Sequence, residues 1–280
     1  MGPTVSEQRE WVPPGVDTDV PSMARAYDYL LGGGHNFAAD RRLADAAERI
    51  MPGARQIARL NRSFLRRAVL YLVRSGVRQF VDVGSGVPTV GNVHEIVLEA
   101  DPDCHVLYVD KDPVAVAHSE LLLAGNDHAA VIQADFRDPE DIFGRPEAVR
   151  LLDPDRPIGL LVVMMLHFVP DSWGPAGILA RYRDRLVPGS HLVLSHVTAD
   201  QRPDQITEAA DLIARSSSPD QLRYRSHAEV VRFFDGFDLV EPGVVGCGLW
   251  HPGGPGDISN DADVNAHVYA GMGRKPVRPT

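Results

Sequence analysis

From Gln79 onward the chain alternates short apolar, β-branched runs with stretches of helical periodicity, and that alternation limits the folds open to it. Residues 79–83 (QFVDV), 105–110 (HVLYVD), 129–134 (AAVIQA), 158–166 (IGLLVVMML) and 191–197 (HLVLSHV) read as strands. Helices are predicted between them over 91–100, 113–124 and 174–186. Strands returning in parallel need a crossover of about a dozen residues or more, and helices supply it. The run 158–166 is apolar apart from Gly159, as a central strand covered on both faces requires. The pattern predicts a parallel α/β sheet.

Both ends depart from this alternation. Ser226 and Glu229 form an S-x-x-E capping box for a helix reaching Phe234. Residues 238–245 and 264–271 read as strands with no helix between them, so they pair antiparallel or leave the sheet. Between them lies a Gly/Pro-rich loop, 248–261. Toward the N-terminus, Met23, Ala26, Tyr27, Leu30 and Leu31 recur at helical spacing until Gly32-Gly33-Gly34, a stop and a mobile hinge. Further helices are predicted over 38–51 and along Ile57, Leu60, Phe64, Ala68 and Leu72, ending at Gly76. Residues 1–20 read as a loose arm. The chain thus divides into an N-terminal arm and helical lid or cap, 1–76, and an α/β domain, 77–280.

Residues 80–89 (FVDVGSGVPT) carry a strand straight into G-x-G and then a helix. Glycines there permit a tight turn and close approach of the backbone to a ligand. Thr89 replaces the third glycine of the dinucleotide fingerprint, which weakens a pyrophosphate reading. Asp82 precedes Gly84 by two residues, where a carboxylate anchors a ligand's amine; a diphosphate would gain nothing from it. Asp110 ends the second strand, 24 residues after Gly86, where an acid accepts from both ribose hydroxyls. Asp112 better suits capping the helix that starts at Pro113. Asp135 and Phe136 end the third strand and offer a carboxylate for an adenine amine and a ring to pack on it. Amine, ribose and adenine anchors together match S-adenosylmethionine better than NAD.

These motifs resemble class I S-adenosylmethionine-dependent methyltransferases. More narrowly, residues 24–41 (ARAYDYLLGGGHNFAADR), 61–71 (NRSFLRRAVLY), 83–95 (VGSGVPTVGNVHE) and 108–113 (YVDKDP) are similar to an actinobacterial group of S-adenosyl methyltransferases. The resemblance implies a Rossmann-like seven-stranded sheet of order 3-2-1-4-5-7-6, strand 7 antiparallel, with N-terminal helices over its carboxyl edge. It implies S-adenosylmethionine as cofactor and methyl transfer as activity. Gly84 and Gly86 would approach the methionine part, Asp110 would hold the ribose, and Asp135 with Phe136 the adenine. Lys111 stands where Asn or a small polar residue is expected, at the mouth of the site. His35 stands where an acidic or polar residue is common, which leaves its role open.

Around the glycine triplet, Tyr29, His35 and Asn36 suit a lid near cofactor or substrate; the alternative is a structural cap with Tyr27 and Leu30 as core. Arg62 either pairs with the cofactor carboxylate or is a solvated member of a basic helix with Arg59, Arg66 and Arg67. His167, just past the fourth strand, is a candidate general base, since imidazole titrates near neutrality, or else a pocket-shaping group. His196 is a second, weaker candidate. Met164 and Met165 read as packing. Trp250 and His251 either border the acceptor pocket or belong to a surface turn.

The 280 residues carry 28 Lys+Arg against 38 Asp+Glu, a net charge of −10, which argues against nucleic acid as partner. Two distant cysteines, Cys104 and Cys247, make no disulfide framework, and no metal-ligand spacing occurs. The N-terminus lacks a signal-peptide core, and the longest apolar run falls far short of the roughly 20 residues a bilayer needs. The expectation is a cytoplasmic enzyme with a small-molecule acceptor and no membrane partner. The rivals are a non-catalytic cofactor-binding or partner-binding protein on the same fold, and an NAD(P)-dependent oxidoreductase.

Overall fold

The computed structural model describes residues 12–89, 91–253 and 262–277. Three helices come first: α1 (Met23–Leu31), α2 (Ala38–Ile50) and α3 (Ala54–Arg74). The alternating region runs β1 (Gln79–Val83), α4 (Val93–Ala100), β2 (His105–Asp110), α5 (Pro113–Leu122), β3 (Ala129–Gln133), α6 (Pro139–Gly144), α7 (Pro146–Leu151), β4 (Ile158–Val163), α8 (Pro175–Arg185) and β5 (His191–Val197). Then follow α9 (Pro203–Arg215), α10 (His227–Arg232), β6 (Asp238–Leu239), β7 (Val245–Gly246), α11 (Ala262–Asn265) and β8 (Val268–Arg274).

The sheet order is β3-β2-β1-β4-β5-β8-β6, with β7 also paired to β8. Strands β1 to β5 are parallel, and β8 runs antiparallel to β5 from His191↔Arg274 to Val197↔Val268. This is the expected Rossmann-like order with one correction. The stretch predicted as one strand, 238–245, breaks into β6 and β7, because Gly243 at φ +85° returns its N–H to the Val240 carbonyl. The last strand is therefore the eighth. It also begins later than predicted, after α11 occupies 262–265. Residues 1–11 of the predicted arm and 254–261 of the Gly/Pro loop lie outside the described residues.

Helices α6, α7 and α9 stand in addition to the predicted elements. Each opens on a proline at its first turn, a position where the missing N–H costs nothing. The capping box at Ser226 and Glu229 forms as expected and starts α10.

Strand alternation sorts the core onto two faces. Phe80, Val106, Leu161 and Val193 pack under Phe64, Ala68 and Leu72 of α3. Val81, Leu107, Leu160 and Leu192 face the other way, toward Ile178 and Tyr182 of α8. Asp82 shares the parity of Phe80, and Asp110 that of Val106, so both acids lie on the α3 side. Among the described residues no helix is long and apolar enough to cross a membrane.

Candidate active site

The carboxyl edge of the parallel strands opens into a cavity of about 710 Å³, a volume in the usual range for small-molecule sites. Its polar end is built on β1, β2 and β3. The chain leaves β1 through Gly84 and Gly86, both left-handed at φ +70° and +69°. The N–H groups of Gly84 and Ser85 bond the Val109 carbonyl at 2.8 and 3.2 Å. A Cβ on Gly84 would stand 2.2 Å from Met165 Cγ, whereas one on Gly86 would meet nothing within 4 Å. The turn is thus packed on one side and open on the other.

Asp110 closes this turn. Its Oδ2 accepts the Gly86 N–H at 2.7 Å and its Oδ1 the Asp112 N–H at 2.8 Å. Burial pushes its pKa up, and the two N–H groups oppose that shift. Asp112 caps α5 through Val114 N–H at 2.8 Å, as its sequence position suggested. Asp82 is buried, and its carboxylate has no hydrogen bond among the described residues. Burial pushes its pKa up to about 7; the Arg62 guanidinium acts against this and the Asp110 charge adds to it. Ser85 Oγ is likewise buried with no partner. Two buried carboxylates, an unbonded hydroxyl and an open backbone turn suit a ligand that brings positive charge and hydroxyl groups.

Asp82, Gly84, Gly86, Asp110, Lys111, Asp135, Phe136, Arg62 and His167 all line this cavity. Arg62 donates to the Gly91 carbonyl at 2.8 Å and is not a merely solvated surface group. Arg67 is buried and grips the Cys247 and Trp250 carbonyls, which removes it from the basic surface helix. Asp135 is partly exposed, and its carboxylate is held by Arg137 at 2.6 Å, which draws its pKa down. Arg137 in turn lies over the Trp173 ring, 4.2 Å from its centroid. Phe136 stacks on Tyr182 with centroids 5.4 Å apart. The end assigned to adenine is therefore an acid, a guanidinium and an indole together, of which the sequence reading named only the acid and Phe136.

His196, Tyr29, His35 and Asn36 do not line the cavity, nor do Trp250 and His251. His196 has both ring nitrogens engaged, Nδ1 with the Val197 carbonyl and Nε2 with Arg225 Nη1, each at 2.7 Å. Arg225 donates, so Nε2 accepts and the imidazole is held neutral as the Nδ1–H tautomer. Burial pushes its pKa down to about 3; what withdraws it as a base is that both nitrogens are engaged and that it does not line the cavity. Tyr29 lies under Arg55, 4.5 Å from ring centroid to guanidinium. His35 packs on His118 at 4.0 Å. Asn36 donates to Asp28 Oδ2 and the Gly33 carbonyl. These residues shape the turn after α1 instead. Gly32 supplies its left-handed cap at φ +88°, and a Cβ on Gly33 would sit 1.9 Å from Asp28 Oδ1. Gly32 thus serves cap geometry and Gly33 close packing.

The residues that roof the site come from elsewhere in the N-terminal segment. Ser22, Arg25, Tyr27 and Leu31 line the cavity, as do Val16 and Val20 before them. Ser22 Oγ bonds Asp112 Oδ2 at 2.6 Å, and Arg25 pairs with the fully buried Asp40 at 2.9 Å. Asp220 accepts from Met23 N–H at 3.3 Å and from Lys111 Nζ at 3.0 Å, which fixes Lys111 at the mouth. From the far side α9 contributes Ile206, Ala209 and Ile213, whose i, i+3, i+7 spacing was the overlooked signal. Trp250 is core, edge-on to Phe64 at 5.5 Å.

His167 sits where β4 gives way to a short 3₁₀ turn, Leu166–Phe168. It is 2% exposed, and its Nδ1 has no hydrogen-bond partner. Burial above all, then His196 and Arg225, pushes its pKa well below the usual imidazole range. Arg225 braces the turn through the Leu166 and Val169 carbonyls at 3.2 and 2.9 Å, and Arg223 N–H bonds the His167 carbonyl at 2.7 Å.

Comparison with known proteins agrees with this architecture. A model of the S-adenosyl methyltransferase family matches residues 9–276. The crystal structure of a candidate methyltransferase from Thermobifida fusca YX is 40% identical, covers 96% of this chain and 100% of its own, and superposes with a TM-score of 0.89. That of a DUF574 family protein from Streptomyces avermitilis MA-4680 is 38% identical, covers 93% and 99%, and gives 0.88. No curated protein matches the chain.

Proposed function

The chain belongs to the S-adenosyl methyltransferase family, and on that premise we propose that it carries the methyl group of S-adenosylmethionine to a small molecule held at the ends of β4 and β5. The observation that carries the reading is the Asp110–Gly86 closure, with the cavity continuing past it toward His167. When bound, the cofactor supplies a methyl group already activated by its sulfonium.

The protein's own contribution is positioning, desolvation and proton handling. The remaining lone pairs of Asp110 would take the ribose hydroxyls. Asp82 would take the amine, whose charge repays the cost of ionising a buried carboxylate. Arg62 would meet the carboxylate, and Asp135, Phe136 and the Arg137–Trp173 pair, which line the cavity, would border the adenine. His167 is neutral near pH 7 and lines the cavity, so its imidazole would receive the proton of a hydroxyl or amine acceptor as that proton leaves. Roofing by α1, α2 and α9 suits a small molecule better than a polymer, in keeping with the net charge of −10.

The dinucleotide alternative falls with the family assignment. The non-catalytic alternative is decided by turnover: release of S-adenosylhomocysteine in the presence of an acceptor library supports transfer. Calorimetric titration with S-adenosylhomocysteine tests the premise directly, and failure of the wild-type chain to bind it would overturn the proposal.

A further inference from the structure

The cavity is not uniform along its length. Most of its charged lining residues gather at the ends of β1, β2 and β3, in Asp82, Asp110, Asp112, Lys111, Asp135 and Arg137, and Arg25, Asp220 and Arg62 act on Asp112, Lys111 and Asp82 at that same end. The sheet order then places β4, β5 and β8 successively farther away. At about 4.8 Å per strand, the β5–β8 pair lies roughly 10–14 Å from the glycine turn. There the edge is Val197 paired to Val268, both lining the cavity. Above it stand Met51, beside the C-terminal end of α2, Ile57 of α3, and the α9 stripe Ile206, Ala209 and Ile213. None of these side chains is polar.

The polar side chains bordering this half are already bonded to protein. The Tyr27 hydroxyl donates to the Ala58 carbonyl at 3.1 Å and accepts from Asn61 Nδ2 at 3.0 Å. Asn61 Oδ1 accepts from Ser195 Oγ at 2.7 Å. His267 has one ring nitrogen on the Asp263 carbonyl and the other on Gln205 Oε1. A charged or many-hydroxyl ligand placed here would lose water and gain no partner, whereas an apolar body would be rewarded for its buried area. At the boundary with the charged half stands His167, with an unbonded Nδ1.

We infer that the methyl acceptor is an uncharged molecule with a largely apolar body seated between α2, α3 and α9, bearing its one methylatable polar group at the end that meets His167. This rests on the methyl-transfer reading and adds the substrate class to it.

The test uses the full chain saturated with S-adenosylhomocysteine and the uncharged probe N-phenyl-1-naphthylamine, whose fluorescence rises on entering an apolar site. Saturable binding is expected, displaced by 2-naphthol at concentrations at least about tenfold below those needed for 2-naphthoate or protonated 2-naphthylmethylamine. Ala209→Trp and, separately, Met51→Trp fill the chamber from two helices. Each should weaken probe binding about tenfold or more while S-adenosylhomocysteine affinity, which also reports that the variant is folded, stays within about twofold. Equal displacement by the charged naphthalenes overturns the inference on the unmodified chain alone. So does probe binding that folded variants leave intact. Absence of S-adenosylhomocysteine binding in the wild-type chain would instead strike the methyl-transfer reading, and the probe titration, repeated without it, would still report the apolar chamber.

Discussion

Asp110 Oδ2 holds the Gly86 N–H at 2.7 Å, so the carboxylate that ends β2 also sets the shape of the turn leaving β1. Asp110→Ala removes a hydrogen-bond acceptor for ligand and releases the turn at once. S-adenosylhomocysteine affinity should fall about 10- to 100-fold, equivalent to roughly 1.4–3 kcal/mol. Asp110→Asn keeps the volume but presents one acceptor oxygen instead of two, and should fall between. Calorimetry reads both, and an unchanged Kd for the alanine variant would remove the ribose assignment.

Asp82 makes a prediction in pH. Its carboxyl is held up to about 7, mainly by burial. A cationic ligand favours the ionised form, so cofactor affinity should rise as pH increases from about 6 to 8, with proton release on binding near pH 7. For folding the sign is opposite. Between the ordinary value of 3.8 and about 7 the folded chain keeps a proton that the unfolded chain gives up, so this group's contribution to stability falls as pH rises through that window. Asp82→Asn should therefore stabilise the fold at pH 8, by about a few kcal/mol at most, and so raise Tm there, while weakening cofactor binding. Thermal melts at pH 5 and pH 8 check it: the variant's advantage should shrink at the lower pH.

The polar end of this site was legible in the sequence because strand ends have fixed chemistry. Asp82 and Asp110 lie in the last residues of apolar, β-branched runs and Asp135 just past a third, and the parallel order brings such ends to one edge. The roof was less legible. Gly32-Gly33-Gly34 reads as a hinge from sequence, yet Gly32 is also a left-handed cap and Gly33 a close approach to Asp28, uses that only tertiary contacts reveal. His196 looked like a second base because nothing local announces Arg225, 29 residues on, as the partner of its Nε2. The α9 stripe was readable in principle; Pro203 and the spacing of Ile206, Ala209 and Ile213 are ordinary helix signals.

Asp220 joins the roof to the floor, taking Met23 N–H with one oxygen and Lys111 Nζ with the other. Lys111 is well exposed, so that ion pair adds little by itself. The bond to the backbone of α1 is the one that ties the roof down. Asp220→Ala should leave Tm nearly unchanged and raise the dissociation rate of S-adenosylhomocysteine about three- to tenfold, in line with roughly 0.5–1.5 kcal/mol for one hydrogen bond. Stopped-flow dissociation measures this; an unaltered rate would mean that ligand leaves by a route not closed by α1.

His167 yields the sharpest separation between a structural and a chemical role. With an acceptor that supports turnover, His167→Gln should lower kcat about 10²- to 10⁴-fold, the usual contribution of a positioned base, with S-adenosylhomocysteine affinity unchanged. Because burial holds its pKa well below 6.5, its ionisation should put no acidic limb into kcat near neutral pH. Any limb near 7 belongs to Asp82 and should appear in cofactor binding. Stability follows the other sign from Asp82. A histidine buried as its neutral form contributes fully above 6.5, and that contribution is lost as pH falls below it, because the unfolded chain takes up a proton the folded one refuses. His167→Gln should therefore flatten the acid side of the Tm profile below pH 6.5. A variant that flattens the melt but keeps its kcat would leave His167 a packing residue.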